Sequence, residues 1–308
     1  KAYYCHHFVL PLPDQHRFPM AKYALLVQRV SEQAQVLGIE LCEPPSATDV
    51  DLCRAHSGEY VRRACSGELS DAELRKIGFP WSTLMIERSR RSSGGTMAAL
   101  QAALRGDHVA VNLAGGTHHA FADHGAGYCV FNDSLVAARR VQALGLAARV
   151  LIIDLDVHQG DGSASIARDD PTIYTFSMHG ARNYPARKEC SDRDVALADG
   201  CGDVEYLDAL SHHLPEAIDE SAADAVIYLA GADPYVADRL GRLGLSKAGL
   251  RERDRMVFDH CLRHGLPVAV SMAGGYAENV ADIVDIHLAT VREAALHARA
   301  MAAKHAPV

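Results

Sequence analysis

The sequence predicts an α/β fold with a central, mainly parallel sheet flanked by helices, and two patterns lead to this prediction. The first is a set of short, continuous apolar runs, which are typical of strands buried on both faces of a parallel sheet. The second is that helical patterns lie between or beside these runs, as in chains that alternate β and α elements. We expect the 308 residues to form a single domain, 1–308, because one α/β domain can reach this length.

The predicted elements follow from these two patterns. The apolar runs predicted to be strands are His108–Leu113, Val150–Leu155, Thr172–Ser177, Ala225–Ala230 and Pro267–Met272. The segments predicted to be helices are Met20–Leu37, which ends at Gly38, Ser134–Leu144, which follows the capping residues Asn132 and Asp133, and the Ala-rich stretch Asn279–Lys304.

The charge balance argues against a nucleic-acid partner. The formal net charge is −8, and the protein lacks the basic stripe that a nucleic-acid binder normally carries. The cluster Arg88–Arg91 is too short to form one, and we interpret it as a solvated helix face. Hydrophobic residues make up 48% and charged residues 23%, as in an ordinary globular protein with a sizeable core.

Cysteine usage and hydropathy indicate a cytoplasmic protein. None of the eight cysteines forms a C-x-x-C pair, so we expect reduced and mostly buried thiols. No apolar run approaches the roughly 18 residues that suggest a membrane span. The segment Lys1–Leu12 also lacks the apolar core of a signal peptide.

Polar or Gly-rich residues follow each predicted strand. These segments are Ala114–His119, Asp154–His158, Ser177–His179, Gly231–Asp233 and Ala273–Tyr276. Because ligands of open α/β sheets bind outside the carboxyl ends of the strands, we expect the five segments to meet at one active site.

The segment Asp154-Leu-Asp-Val-His158 indicates a metal site. In a strand, its period-two spacing would project all three polar side chains to one face, where they would need a cation. A set of solvated capping acids is the alternative, and the preceding apolar strand argues against it. Asp156 and His158 are expected to bind the ion, with Asp233 as the third ligand and water as the fourth. Zn²⁺ is the expected ion, and Fe²⁺ could bind the same donors.

Groups for proton transfer lie in the neighbouring segments. His118 and His119 follow a Gly-Gly turn and can exchange protons near neutral pH. Asp154 and Asp161 could orient these rings through hydrogen bonds. Tyr276 follows Gly274-Gly275, and its hydroxyl could donate to a developing oxyanion opposite the metal.

Together these motifs resemble the histone deacetylase superfamily, within the arginase/deacetylase fold, from about Tyr3 to the terminal helix. The segments that resemble its class IV branch most are Ile152–Gly162, Gly231–Asp233, Asp238–Gly241 and Gly274–Tyr276. Gln159 also resembles the class IV branch, since class I enzymes tend to carry another His at this position.

The resemblance implies a role for each of these residues. Asp156, His158 and Asp233 would bind zinc, His118 and His119 would be the tandem histidines paired with Asp154 and Asp161, and Tyr276 would polarise the carbonyl. The carbonyl of Gly127 would receive the substrate N–H, and Tyr128 and Tyr184 would form walls of an acyl-lysine tunnel. A structural potassium would be held by Asp154, Ser177 and the backbone carbonyls of Asp156, His158 and Met178.

The implied reaction is hydrolysis of the amide between an acyl group, acetyl or longer, and the side-chain nitrogen of lysine in a protein or peptide. There are three alternatives to this reaction. In the first, the substrate is another acylated amine, an acetylpolyamine, instead of an acyl-lysine. In the second, the chain binds acyl-lysine without hydrolysing it. An arginase-like ureohydrolase is disfavoured, because its second metal needs a carboxylate where this chain has Gly160.

Overall fold

Eight parallel strands form one sheet in the computed structural model, which describes residues 1–13 and 16–304. The strands are β1 (Ala2–Tyr3), β2 (Leu41–Cys42), β3 (Val109–Asn112), β4 (Val150–Asp154), β5 (Ile173–Gly180), β6 (Arg193–Leu197), β7 (Ala225–Leu229) and β8 (Val268–Ser271). Their order across the sheet is β2-β1-β3-β8-β7-β4-β5-β6, and each neighbouring pair is parallel.

Helices cover both faces of this sheet. They are α1 (Ala21–Ser31), α2 (Ala34–Leu37), α3 (Asp49–Leu52), α4 (Gly58–Ser66), α5 (Asp71–Ile77), α6 (Thr83–Ala102), α7 (Asp133–Ala143), α8 (Asp161–Ala167), α9 (Asp203–Ser221), α10 (Lys247–His264) and α11 (Val280–Lys304). A π-helical turn, Ala103–Asp107, joins α6 to β3.

The side chains of the central strands pack into two separate hydrophobic cores, one on each face of the sheet. Along β4, Leu151 and Ile153 pack into one core with α1, α9, α10 and α11. Val150 and Ile152 pack into the other, with helices from α3 to α8. Because alternate residues of a strand face opposite sides, both faces of the sheet are buried, and this explains why the central strands are continuous apolar runs.

All five predicted strands are confirmed, as β3, β4, β5, β7 and β8, and the mainly parallel sheet is confirmed with them. The strands that the sequence patterns did not reveal lie at the two sides of the sheet. β1 and β2 have two residues each, which is too short for a recognisable pattern. β6 is an edge strand whose residues are all at least partly exposed, so it has no buried run to detect.

The predicted helices are largely confirmed. α7 and α11 match the predictions within a residue or two at their ends. The segment Met20–Leu37, however, is divided into α1 and α2, because its buried stripe ends at Val30 and polar residues follow. Gly38 ends α2 in the left-handed conformation, as its position predicted.

The interpretation of Arg88–Arg91 as a solvated helix face is wrong for Arg88. Its side chain is buried on the inner stripe of α6, between Met85 and Ser92. The guanidinium donates to the carbonyl of Phe8 at 3.1 Å and lies 4.3 Å from the ring centroid of Tyr23. An arginine can be buried in this way when its aliphatic stem packs on apolar groups and its guanidinium forms a cation–π interaction with an aromatic ring.

The remaining global expectations are met in part. All eight cysteines are free, but only four of them are buried: Cys5, Cys129, Cys201 and Cys261. Among the described residues, no helix combines the length and the apolar character needed to cross a membrane.

Candidate functional site

Two carboxylates and one imidazole converge at the carboxyl edge of the sheet. Asp156 and His158 follow β4, Asp233 follows β7, and one ligand atom from each lies within 4.8 Å of the others. His158 Nδ1 is 3.0 Å from Asp156 Oδ1 and 3.2 Å from Asp233 Oδ2. All three side chains are buried, so this set of donors could hold one metal ion.

The local geometry of this segment differs from the predicted strand. β4 ends at Asp154, so only the first residue of the Asp-x-Asp-x-His segment belongs to the strand. Asp154 Oδ1 accepts the N–H of Asp156 at 3.2 Å, and Asp156 Oδ1 accepts the N–H of His158 at 2.9 Å. These Asx turns curl the chain. Asp154 therefore stays outside the ligand set, and Asp156 and His158 turn towards Asp233.

Hydrogen bonds between neighbouring loops position the two carboxylates of this candidate metal site. Asp233 Oδ1 accepts the N–H of Val157 at 2.9 Å, and Asp156 Oδ2 accepts the N–H of Gly274 at 2.7 Å. A Cβ at Gly274 would lie 2.6 Å from Asp233 Cγ, so only glycine allows this approach. Asp233 Oδ2 is buried and accepts no hydrogen bond from the described residues. An unpaired carboxylate oxygen that faces an imidazole nitrogen fits a site for a cation.

The two predicted histidines each pair with one of the predicted acids. His118 Nδ1 lies 2.6 Å from Asp154 Oδ2, and His119 Nδ1 lies 2.6 Å from Asp161 Oδ1. The ring centroids are 4.1 Å apart, and all four side chains are buried. Hydrogen bonding at Nδ1 orients each ring and leaves the other nitrogen, Nε2, for chemistry.

The pKa values of the two rings are shifted in different directions. Burial disfavours a charged ring, but the carboxylates of Asp154 and Asp156 outweigh it and raise the pKa of His118 to about 9. Burial and the neighbouring His118 lower the pKa of His119 to about 4, in spite of Asp161. The pKa values of the two rings are therefore shifted in opposite directions, which suits two rings with different parts in proton transfer.

Tyr276 lies in the same site, and polar contacts hold its backbone on both sides. Its N–H donates to Asp238 Oδ2 at 2.6 Å, and its carbonyl accepts from Arg239 Nε at 3.0 Å. Its ring is 6.3 Å from that of His158, centroid to centroid. Burial and then the nearby Asp156 raise the pKa of Tyr276 well above its usual value, so the phenol keeps its proton as a donor.

The residues expected to form the tunnel also gather here. A depression of about 420 Å³ is lined by Tyr128 and Tyr184 together with His119, His158 and Tyr276. The Tyr184 ring lies 4.8 Å from that of His119, and the Tyr128 ring lies 6.0 Å from that of Tyr276. Gly127 lines the same depression, and the one donor to its carbonyl among the described residues is the weak S–H of Cys129, at 3.3 Å. A carbonyl has a second lone pair, so it can receive a further N–H.

The predicted potassium ligands come from adjacent strands. Asp154 and Ser177 are directly paired in β4 and β5, and Met178 follows Ser177. The remaining carbonyls, of Asp156 and His158, belong to the loop after β4. The two strands thus bring the proposed side-chain oxygens to neighbouring positions, and the ion itself stays a prediction.

The surroundings of Gly160 leave no room for a side chain, and this bears on the ureohydrolase alternative. A Cβ at this position would lie 3.3 Å from His118 Nδ1 and closer still to Asp154 Oδ2. A carboxylate side chain here would displace the His118–Asp154 pair. The geometry therefore disfavours a second metal ligand at this position.

Three buried groups that support the site escaped the sequence patterns. Arg253 on α10 donates to the carbonyls of Gly231, at 2.7 Å, and Leu155, at 3.3 Å, which lie next to the metal-ligand segments. Lys22 on α1 lies 3.3–3.4 Å from the carbonyls of Ala273 and Gly275. Asp133, which was interpreted only as a helix cap, accepts the N–H groups of Gly116 and Thr117 at 3.0 and 2.7 Å.

The helical pattern of the sequence does indicate that Arg253 is buried. Leu250, Val257, Phe258 and Cys261 form the buried stripe of α10, and Arg253 falls on that stripe at the i+3 position from Leu250. A charged residue on an apolar stripe indicates a buried polar contact. Lys22 offers a weaker signal, since it only adjoins Tyr23 on the buried side of α1.

Comparisons with known proteins agree with this geometry. The crystal structure of the HDA15 HD domain matches with a TM-score of 0.79 at 21% identity, over 98% of this chain and 96% of that one, which confirms the fold. An uncharacterized protein of Picosynechococcus sp. is 44% identical over 91% of this chain and 93% of its own length. Histone deacetylase 2 of Arabidopsis thaliana is 29% identical over 87% of this chain and 72% of its own length. A histone deacetylase-like amidohydrolase of Pseudomonas aeruginosa is 31% identical over 78% of this chain and 67% of its own length.

The family assignment follows from the extent of these matches together with the site. Residues 16–291 match the histone deacetylase domain, which is most of the chain and includes every residue of the site described above. The resemblance seen in the sequence motifs is thereby confirmed at the level of the family, and the class IV placement stays a prediction. The chain belongs to the histone deacetylase family.

Proposed function

We propose that the protein is a zinc-dependent amidohydrolase that removes an acetyl or longer acyl group from the side-chain nitrogen of a lysine in a protein or peptide. One observation carries this proposal: the buried donors Asp156, His158 and Asp233 lie beside two His–Asp pairs, and this cluster reaches a tyrosine-lined depression through His119 and His158. A set of metal donors, proton carriers and a phenol in one place is what hydrolysis of an amide requires.

The side chains of the site would divide the work. One of His118 and His119 takes the proton from water, and the pair returns a proton to the leaving amine. Asp154 and Asp161 hold the two rings in orientation. A bound Zn²⁺ supplies Lewis-acid chemistry, polarising the amide carbonyl and making a water molecule more acidic. Tyr276 donates from its hydroxyl to the oxygen that gains negative charge.

The substrate would enter between the aromatic walls. Tyr128 and Tyr184 would flank the aliphatic part of the lysine side chain, and the carbonyl of Gly127 would accept the amide N–H of the substrate. We further propose a structural K⁺ on Asp154, Ser177 and the carbonyls of Asp156, His158 and Met178. The class IV placement supports longer acyl groups by analogy only, and a cytoplasmic location also remains part of the proposal.

The relatives support hydrolysis over simple binding. The Pseudomonas aeruginosa relative is called an amidohydrolase, and none of the proposed catalytic side chains is missing from this chain. The decisive experiment assays zinc-loaded protein on a panel of acetyl-, butyryl- and myristoyl-lysine peptides and acetylpolyamines. Turnover of at least one lysine peptide supports the proposal. Turnover of acetylpolyamines alone would move the enzyme to the alternative substrate, and tight peptide binding with no turnover would make it a binding protein.

A further inference from the structure

The mouth of the proposed active site is positively charged. Four cationic side chains line the same depression as His119, His158 and Tyr276: Arg75, Lys76, Arg182 and Arg242. All four are exposed. None of the residues that line this depression, within the described part of the chain, is an Asp or a Glu. A ligand that enters the depression therefore passes these four cationic side chains.

Carboxylates neutralise little of this charge. Arg182 and Arg242 share one partner, Asp199, at 3.4 and 3.3 Å. Arg75 and Lys76 form no ion pair with any described residue, although the exposed Asp71 lies one turn before Arg75 on α5. At least two positive charges at the mouth are thus free to meet a ligand.

A second cationic depression adjoins the first. Among the described residues it is lined by Arg17, Arg239 and Leu240, and Leu240 also lines the mouth. The whole chain carries a formal net charge of −8, so this concentration of positive charge is not a property of the surface in general. Charge that is segregated at the entrance of a site acts on the ligands that enter it.

Hydrogen bonds fix the cationic segments to the tunnel. The carbonyl of Lys76 accepts the N–H of Gly127 at 3.0 Å, and the carbonyl of Ile77 accepts the N–H of Tyr128 at 2.7 Å. On the other side, the Asn183 amide donates to the carbonyl of Leu240 at 2.8 Å, which ties the segment of Arg182 to that of Arg242. The backbone that carries the four cations is therefore part of the tunnel entrance.

We propose that the substrate is anionic around the scissile amide, as in an acyl-lysine flanked by Asp or Glu residues. This inference rests on the proposed function and narrows its substrate class. It disfavours acetylpolyamines and acyl-lysines within Lys- and Arg-rich segments, because their positive charges would meet those of the mouth. Opposite charges at the rim of an interface mainly increase association and select partners, so the effect should appear in kcat/KM more than in kcat.

The test uses three peptides with the same central acyl-lysine and with flanking Glu, Gln or Lys residues. The acyl group is the one that the panel above turns over best. We expect kcat/KM to fall from the Glu to the Gln to the Lys peptide, by roughly 10-fold from first to second at low salt. In about 0.5 M NaCl the differences should shrink to less than about 3-fold, because salt screens exposed charges.

Variants locate the preference at the mouth. The double variant Arg75→Gln/Lys76→Gln and the single variant Arg242→Gln should bring the Glu-to-Gln ratio closer to one. Arg255→Gln is the matched control. The side chain of Arg255 is 52% exposed and paired with carboxylates, and that of Arg242 is 53% exposed and paired with Asp199. Arg255, however, lies on α10 and does not line the depression. The control should leave the ratio as in the wild type.

A binding measurement separates this inference from the proposed function. The three peptides carry a neutral dye, and their affinity for zinc-loaded Tyr276→Phe protein is read by fluorescence anisotropy. If no peptide is hydrolysed by the wild type, the proposed function fails, and the order of affinities still tests the charge preference. Equal affinities, or a preference for the Lys peptide, would overturn the inference whether or not the enzyme is active.

Discussion

The floor and the mouth of the site have opposite charge and opposite exposure. At the floor, Asp154, Asp156, Asp161 and Asp233 are buried beside three histidines. At the mouth, the four cations that line the depression are exposed, and within residues 1–13 and 16–304 the one carboxylate that pairs with any of them is that of Asp199. A buried carboxylate cluster needs a cation or protons to be stable, and exposed cations do not. The floor therefore suits metal binding and proton transfer, and the mouth suits selection among substrates.

Removal of a floor carboxylate should have the largest effect. In Asp233→Asn the ligand oxygen loses its negative charge, so we expect loss of the metal ion and a fall in kcat/KM of more than about 100-fold. Metal analysis of the purified protein, before and after dialysis, checks this against one divalent ion per chain in the wild type. Two tightly bound transition-metal ions in the wild type would contradict the single-ion site.

The histidines test whether the floor separates metal binding from proton transfer. His118→Ala and His119→Ala should each lower kcat by about 10²–10⁴-fold, because proton transfer to and from the reacting groups is lost. Neither ring belongs to the donor set, so the metal content should stay at one ion per chain. Loss of the ion from either variant would assign that ring to the metal instead.

Tyr276 connects the two regions, because it lines the depression at the mouth and its ring is 6.3 Å from that of His158 at the floor, centroid to centroid. Tyr276→Phe should lower kcat by about 10²–10³-fold and change KM much less, because only the oxyanion donor is lost. The ring remains to pack near Lys22 and His158, so thermal unfolding should be nearly unchanged. A variant with near-normal turnover and full metal content would remove the hydroxyl from the mechanism.

The same two regions show what the sequence could predict. The central strands and the polar segments after them are local patterns, so β4, β7 and β8 and the residues Asp156, His158 and Asp233 could all be named in advance. The Asx turns after Asp154 could not, since the spacing alone suggests a strand. The edge strand β6 has no buried run, and its pattern was therefore missed.

The mouth could not be predicted, because its cations come from three separate parts of the chain. Arg75 and Lys76 end α5, Arg182 follows β5, and Arg242 follows β7. Each looks like an ordinary surface residue in the sequence, and only the folded chain brings them together. Arg88 shows the opposite case, because the local pattern predicts a solvated side chain and the side chain is buried. The position of a long charged side chain depends on its tertiary neighbours more than on the local pattern.

The smallest expected effect concerns His56, a buried histidine whose two ring nitrogens contact backbone groups. His56 Nδ1 is 2.8 Å from the carbonyl of Phe121, and its Nε2 accepts the N–H of Asn132 at 2.9 Å, so the ring is a neutral tautomer. Burial lowers the pKa of His56 to about 4. His118, which has carboxylate neighbours, has its pKa raised instead.

This depressed pKa predicts how stability depends on pH. The unfolded chain, with an ordinary histidine pKa of about 6.5, binds the proton between pH 6.5 and 4 and the folded chain does not. The contribution of His56 is therefore fully present above about pH 6.5 and is lost as the pH falls towards 4, by on the order of 2 kcal/mol at pH 5. His56→Gln cannot take up this proton, so its free energy of unfolding should fall less than that of the wild type between pH 7 and pH 5. Urea unfolding at both pH values checks this, with the exposed His212→Gln as the control that should follow the wild type. Parallel losses in all three proteins would show that His56 does not contribute to the acid sensitivity, and the contrast between His56 and His118 would fail.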